Sequence, residues 1–215
     1  MEYIKICGLK KTEEVQICVK YGANALGFIF NVPNSSRNLS KEKLCEILQQ
    51  IPNTIKKVVV SRVNNTSEVE QLMKTIDADL YQLHCSFNIR DLYKFSIEDK
   101  KKMIIAFKVD QVSKENVIKQ INQSFNQFFA FLIDNSQGSG IEIDLELVID
   151  IQKDISPSKI IIAGGIDIEN VEALIKYIRP YGIDVSSSLE DELGVKNPDK
   201  IKKFLEVINN VKINS

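Results

Sequence analysis

Three consecutive pieces of sequence decide the fold: Lys159-Ile160-Ile161-Ile162-Ala163-Gly164-Gly165, then the stripe Val171, Leu174, Ile175 and Ile178, then Ile183-Asp184-Val185-Ser186-Ser187-Ser188. The first is a continuous apolar run, the pattern of a parallel strand buried on both faces. Between Val171 and Ile178 the apolar period lengthens to that of a helix, and Pro180 stops it. A second short apolar run then completes a strand–helix–strand unit.

The same alternation extends through the chain in both directions. Short β-rich runs lie at Tyr3–Ile6, Ala25–Phe30, Lys57–Ser61, Leu80–His84, Met103–Val109, Phe128–Asp134, Lys159–Ala163 and Ile183–Ser186. Helical stripes separate them. Thr12 is placed to cap a helix carrying Val15, Cys18 and Val19, with Gly22 just past its end. Ser40 precedes Leu44, Ile47 and Leu48, Ser67 precedes Val69, Leu72 and Met73, and Ser113 precedes Val117 and Ile121. Ile89, Leu92 and Tyr93 suggest a short helix after His84, Leu145, Val148 and Ile149 form another stripe, and Pro198 opens the last helix. Eight units in 215 residues give about 27 residues each, near the lower limit for an eight-stranded barrel. The expected fold is therefore α/β: a compact single-domain (βα)8 barrel of the TIM type spanning residues 1–215. A doubly wound open sheet is the alternative, but no G-x-G-x-x-G follows the first strand.

Composition excludes several classes of function. The 28 basic and 29 acidic residues nearly cancel, leaving −1, so a broad surface for nucleic acid or anionic membrane is not expected. His84 is the single histidine, which removes His-rich metal sites. Cys7, Cys18, Cys45 and Cys85 form no C-x-x-C pair, and no apolar run reaches the length of a membrane span or signal peptide. A cytoplasmic protein with reduced thiols is expected.

Chemistry in such a barrel gathers at the carboxyl ends of its strands. Gly164-Gly165 and Ser186-Ser187-Ser188 fall at the seventh and eighth strand ends, where these barrels recurrently bind phosphate; alternatively, they are a tight turn and an ordinary cap. Cys7 and Asp134 end the first and sixth strands and could move protons in concert across the mouth. Equally, Cys7 reads as a small buried hydrophobe and Asp134 as a cap. Arg37, in a polar loop, is placed to meet a carboxylate or to stand in solvent. Asp184 lies inside an apolar strand and needs a partner, either a ligand hydroxyl or a neighbouring donor. His84 is read as a hydrogen-bonding group of the pocket in preference to a core histidine. Cys18 and Cys45 fall on helix faces as packing residues.

Several of these stretches together resemble the phosphoribosylanthranilate isomerase family: Lys5-Ile6-Cys7-Gly8, Gly22 to Phe30, Ser36-Arg37, Gln82-Leu83-His84, Ala106 to Val109, Leu132-Ile133-Asp134, Gly138-Ser139-Gly140, Ala163 to Ile166, and Asp184 to Glu190 with Gly194 to Ile201. They run in order over nearly the whole chain. The resemblance implies an Amadori rearrangement of N-(5-phosphoribosyl)anthranilate in tryptophan biosynthesis, with no metal or redox cofactor. It implies Asp134 as general acid, Cys7 as general base, Arg37 against the anthranilate carboxylate, Asp184 against a ribose hydroxyl, and Gly164, Gly165 and Ser186–Ser188 around the phosphate. The partner would be a phosphorylated small molecule, and the protein a monomer or homodimer.

The chain departs from the family pattern in places. Asn135–Gly140 is short, with Gln137 and Ser139 where the family has glycine and threonine, and Ile143 replaces a common aromatic. Ser188 stands where a glycine is usual, which predicts backbone strain at the phosphate loop. A related barrel acting on another phosphosugar, or a non-catalytic metabolite-binding barrel, are the rival functions.

Overall fold

The computed structural model describes residues 1–134, 144–155 and 159–213. The loop residues Asn135–Gly140 and Ile143, singled out above, lie outside them. Eight parallel strands follow one another: β1 (Tyr3–Cys7), β2 (Ala25–Phe30), β3 (Lys56–Val63), β4 (Leu80–Cys85), β5 (Met103–Lys108), β6 (Ala130–Asp134), β7 (Ile160–Ala163) and β8 (Gly182–Val185). Each pairs with the next, and β8 returns to β1 through Lys5 beside Asp184, closing the barrel. A two-residue strand, Asn38–Leu39, extends the edge of β2, and Glu190–Glu192 pairs with Val195–Lys196 in a small hairpin after β8. Helices α1 (Thr12–Lys20), α2 (Lys41–Leu48), α3 (Thr66–Thr75), α4 (Ile97–Lys100), α5 (Lys114–Gln123), α6 (Leu145–Asp154), α7 (Val171–Ile178) and α8 (Pro198–Ile213) surround it. The expected strands are all present, with ends shifted by one or two residues.

The caps differ more. Lys11, not Thr12, precedes α1, and Glu14 reaches back to accept hydrogen bonds from the N–H groups of Lys10 (2.7 Å) and Lys11 (3.1 Å). Asn65, not Ser67, caps α3 by accepting from Glu68 N at 3.0 Å. Ser113 precedes α5 without capping it through its side chain; Asp110 instead holds the turn by accepting from Val112 and Ser113 N–H groups. A short carboxylate or amide near a helix start competes well for the same orphan N–H groups, so these shifts are local. The stretch after His84 forms a 3-10 turn, Ile89–Lys94, before the single turn of α4.

Strand parity sorts the side chains into two cores. Ile4, Ile6, Leu26, Phe28, Ile105 and Ile162 point outward and are buried against the helices. Each such side chain contributes roughly 1.5–3 kcal/mol through burial. The opposite parity fills the barrel with Tyr3, Val58, Val60, Leu80, Ile104, Leu132 and Ile161, relieved by several alanines. The amino-terminal end is stoppered by aromatic rings: Tyr3 lies 6.2 Å from Tyr181 and 6.4 Å from Phe129 between centroids. Lys159 places its ammonium 4.9 Å from the Phe129 ring and 5.0 Å from that of Tyr181. The barrel is thus shut at one end, and polar side chains collect at the other.

Candidate active site

Inward parity carried to the strand ends delivers the polar set. Along β1 the inner face reads Tyr3, Lys5, Cys7; along β4, Leu80, Gln82, His84; along β6, Ala130, Leu132, Asp134; along β8, Gly182, then Asp184. Cys7, Gln82, His84, Asp134, Asp184, Gly164, Gly165 and Ser186–Ser188 line one cavity of about 210 Å³. It lies beside a wider vestibule of about 740 Å³ bordered by Arg37, Arg62 and Lys108. All the residues proposed from sequence therefore meet at one mouth, with Arg37 on its outer edge. A separate hollow of about 440 Å³ on the flank at α3 is lined by Met73, Phe95 and charged residues, of which Glu70 and Lys94 pair at 3.0 Å.

Cys7 is buried, 6% exposed, at the end of β1. Burial pushes its thiol above the ordinary value, while the neighbouring Lys5 ammonium pulls the other way. Asp184 is also buried, and its partner is Lys5, whose ammonium lies 2.8 Å from Oδ1. Burial works against the charge of Lys5, but Asp184 and Cys7 outweigh it, so its proton is held more firmly than usual. For Asp184, burial outweighs the attraction of Lys5 and raises its carboxyl. Gln82 Oε1, in the same cavity lining, is buried without a hydrogen-bond partner among the described residues. The floor of the cavity thus keeps polar capacity for a bound hydroxyl.

His84 contacts Gln82, with Nε2 atoms 3.4 Å apart. Burial lowers its imidazole to about 4 despite the opposing field of Asp134, so it is neutral at physiological pH and acts as a hydrogen-bonding group. Arg37 does not stand in solvent. Its guanidinium grips Glu190 in a fork, Nε to Oε1 and Nη2 to Oε2, both at 2.6 Å. Glu190 also accepts from Lys196 Nζ (2.6 Å) and Gly194 N (2.9 Å), and these bonds overcome burial to hold its carboxyl at about 2. Lys196 continues inward, donating to Ser186 O at 3.0 Å.

The phosphate-loop residues differ in detail from expectation. Gly164 (φ +86°) and Gly165 (φ +65°) both occupy the left-handed region that side chains disfavour, which explains the pair. Asn170 braces the turn by donating to Gly165 O at 2.7 Å. Ser188 carries none of the predicted strain. Its backbone is not left-handed, and its hydroxyl donates to Ile166 O at 2.6 Å, so serine serves where glycine is usual. Ser186 likewise donates to Cys7 O at 3.0 Å. These two hydroxyls tie the loops together and are already engaged within the protein.

Reading for motifs assigned no role to Lys5, Gln82, Arg62, Lys108, Glu190 or Lys196. Parity would have flagged the first four, since each is a polar residue on an inner face. Glu190 and Lys196 gave no periodic signal, because they lie in a hairpin. Among the described residues, no cluster of three or more His, Cys, Asp or Glu side chains is placed to hold a metal ion, and no helix is long and apolar enough to cross a membrane.

Comparison with known proteins converges on one family. Residues 4–207 match the family model described as N-(5'-phosphoribosyl)anthranilate (PRA) isomerase. The isomerase of Chloroherpeton thalassium is 32% identical over 211 residues, covering 95% of this chain and 94% of its own. The phosphoribosylanthranilate isomerase structure from Thermotoga maritima superposes with a TM-score of 0.82 at 26% identity, covering 98% of this chain and all of that one. A further isomerase structure, in complex with reduced 1-(o-carboxyphenylamino)-1-deoxyribulose 5-phosphate, gives 0.80 at 25% identity with the same coverage.

Proposed function

This chain belongs to the N-(5'-phosphoribosyl)anthranilate isomerase family, and from that premise we propose how its own side chains divide the work. The reaction is an Amadori rearrangement in tryptophan biosynthesis, from N-(5-phosphoribosyl)anthranilate to 1-(2-carboxyphenylamino)-1-deoxyribulose 5-phosphate. Asp134 is the general acid. It protonates the ribose ring oxygen as the ring opens, leaving an iminium at C1′. Cys7 is the general base and takes the C2′ proton; the electrons of that C–H bond neutralise the iminium and form an enolamine, which tautomerises to the ketone.

The observation that carries this reading is the single cavity of about 210 Å³ shared by Cys7, Asp134 and the Gly164, Gly165 and Ser186–Ser188 loops. A phosphate seated on the backbone N–H groups of those loops leaves the sugar between acid and base. Asp184 receives a ribose hydroxyl, neutral His84 donates to the substrate, and Arg37 faces the anthranilate carboxylate from the vestibule. The same reading takes residues 1–215 as one barrel domain, cytoplasmic, acting on a phosphorylated small molecule as a monomer or homodimer, without cofactor, nucleic acid or membrane.

The test is the loss of substrate fluorescence on adding protein to freshly prepared phosphoribosylanthranilate, corrected for spontaneous hydrolysis. Cys7→Ala and Asp134→Ala are each expected to lower turnover about 10²–10⁴-fold, with binding of a reduced product analogue retained. Unimpaired turnover in both variants overturns the assignment.

A further inference from the structure

We infer that Lys5 is a positioning residue for the Cys7 base, holding the thiolate from behind the active site, with the Asp184 carboxylate opposing it. This rests on the assignment of Cys7 above. Lys5 is fully buried, and it is among the largest completely buried side chains of the described residues. An ammonium inside an apolar barrel is costly even when paired, and packing alone would favour an aliphatic residue. Its location gives the reason for the charge. A Cβ built on Gly27 would clash with both groups, falling 2.9 Å from Lys5 Nζ and 2.8 Å from Cys7 Sγ, so only a residue without a side chain there lets the ammonium and the thiol crowd the same point of the β2 backbone. Lys5 is not part of the cavity lining, whereas Cys7 and Asp184 are. It therefore acts on the reaction through them and not on substrate.

Other charges face Cys7, and their partners separate them from Lys5. Arg37 and Lys196 are both held by Glu190, a carboxylate with bonds to each. Tyr3 lies below on the same strand, and Asp134 and His84 border the cavity from β6 and β4. Lys5 pairs with Asp184, a carboxylate that also faces the thiol, so the two have opposite effects on one proton. Burial dominates the raised thiol; Lys5 is the largest influence lowering it, and Asp184 raises it. When Cys7 is protonated, the ammonium balances Asp184; when Cys7 is a thiolate, the same cation is shared between two anions.

The test measures Cys7 alone, by mass-spectrometric quantification of its iodoacetamide alkylation across pH in the full-length protein. In Lys5→Met the thiolate midpoint is expected to rise by about 1 pH unit or more, slowing alkylation below the midpoint about tenfold. In Asp184→Asn it is expected to fall. The rising limb of kcat/KM in Lys5→Met should move with the alkylation midpoint, which a packing defect would not produce. Should Lys5→Met fail to fold, the double variant Lys5→Met/Asp184→Asn leaves no unpaired buried charge of this pair, and its midpoint must lie above that of Asp184→Asn. Unchanged midpoints, or shifts in the same direction for both single variants, overturn the inference. Full turnover in Cys7→Ala instead removes the base assignment and with it any catalytic role for Lys5, while the alkylation midpoints still report whether Lys5 controls the thiol.

Discussion

The two ends of the barrel are built from the same strands and have opposite characters. At the amino-terminal end Tyr3, Phe129 and Tyr181 pack ring on ring beneath Lys159, and the interior is filled. At the carboxyl end Cys7, His84, Asp134 and Asp184 surround open space. Strand β1 alone passes from one regime to the other, through Tyr3, Lys5 and Cys7, in two steps of its period. A parallel barrel aligns all its strand ends. Changing residue type at one end of each strand therefore builds a site without disturbing the seal at the other.

That contrast breaks if the two ends are not separable. The largest expected effect is at the open end: the roughly 10²–10⁴-fold loss in Cys7→Ala should leave the unfolding midpoint in urea almost unchanged. Phe129→Ala should do the reverse, costing about 1–3 kcal/mol of stability from the lost contacts of a half-buried ring while the folded fraction turns over substrate normally. A large fall in kcat for Phe129→Ala would show that the closed end also shapes the site.

Three further measurements sharpen it. His84, near 4 when folded, titrates in the unfolded chain near 6.5. Between those values only the unfolded chain binds the proton, so the stability is complete above pH 6.5 and is lost as pH falls toward 4, by up to about 3 kcal/mol. Urea midpoints across that window should fall more steeply in the parent than in His84→Asn; parallel curves would mean the imidazole is not desolvated. Arg37→Ala should raise KM about ten- to a hundredfold, the worth of a charged hydrogen bond of roughly 1.5–3 kcal/mol, with a smaller change in kcat. A fall confined to kcat would move Arg37 from substrate recognition to the reacting atoms. The smallest effect is at the closed end. Among the described residues the buried Tyr3 hydroxyl has no hydrogen-bond partner, so Tyr3→Phe should be neutral or stabilising by about 1 kcal/mol; a clear loss of stability would show that the hydroxyl is satisfied in solution.

Short, mostly continuous apolar runs made β1 to β8 legible from sequence, because that is the pattern of strands covered on both faces. Cys7, His84, Asp134 and Asp184 were legible as polar residues at or near strand ends. Glu190 and Lys196 were not, since their importance comes from clasping Arg37 and Ser186 across more than one loop. Parity places Lys5 on an inner face, but its burial beside Asp184 depends on two strands joined by barrel closure, 179 residues apart in sequence.

By itself, then, the sequence determined the strand–helix rhythm, the strand ends and the polar residues on them, because these follow from local periodicity and from the cost of leaving apolar surface in water. Only the tertiary structure decided which charges meet: Arg37 with Glu190, Lys5 with Asp184 beside Cys7. Ion pairing depends on distances of a few ångströms between residues far apart along the chain, and those distances are set only when the eighth strand closes on the first.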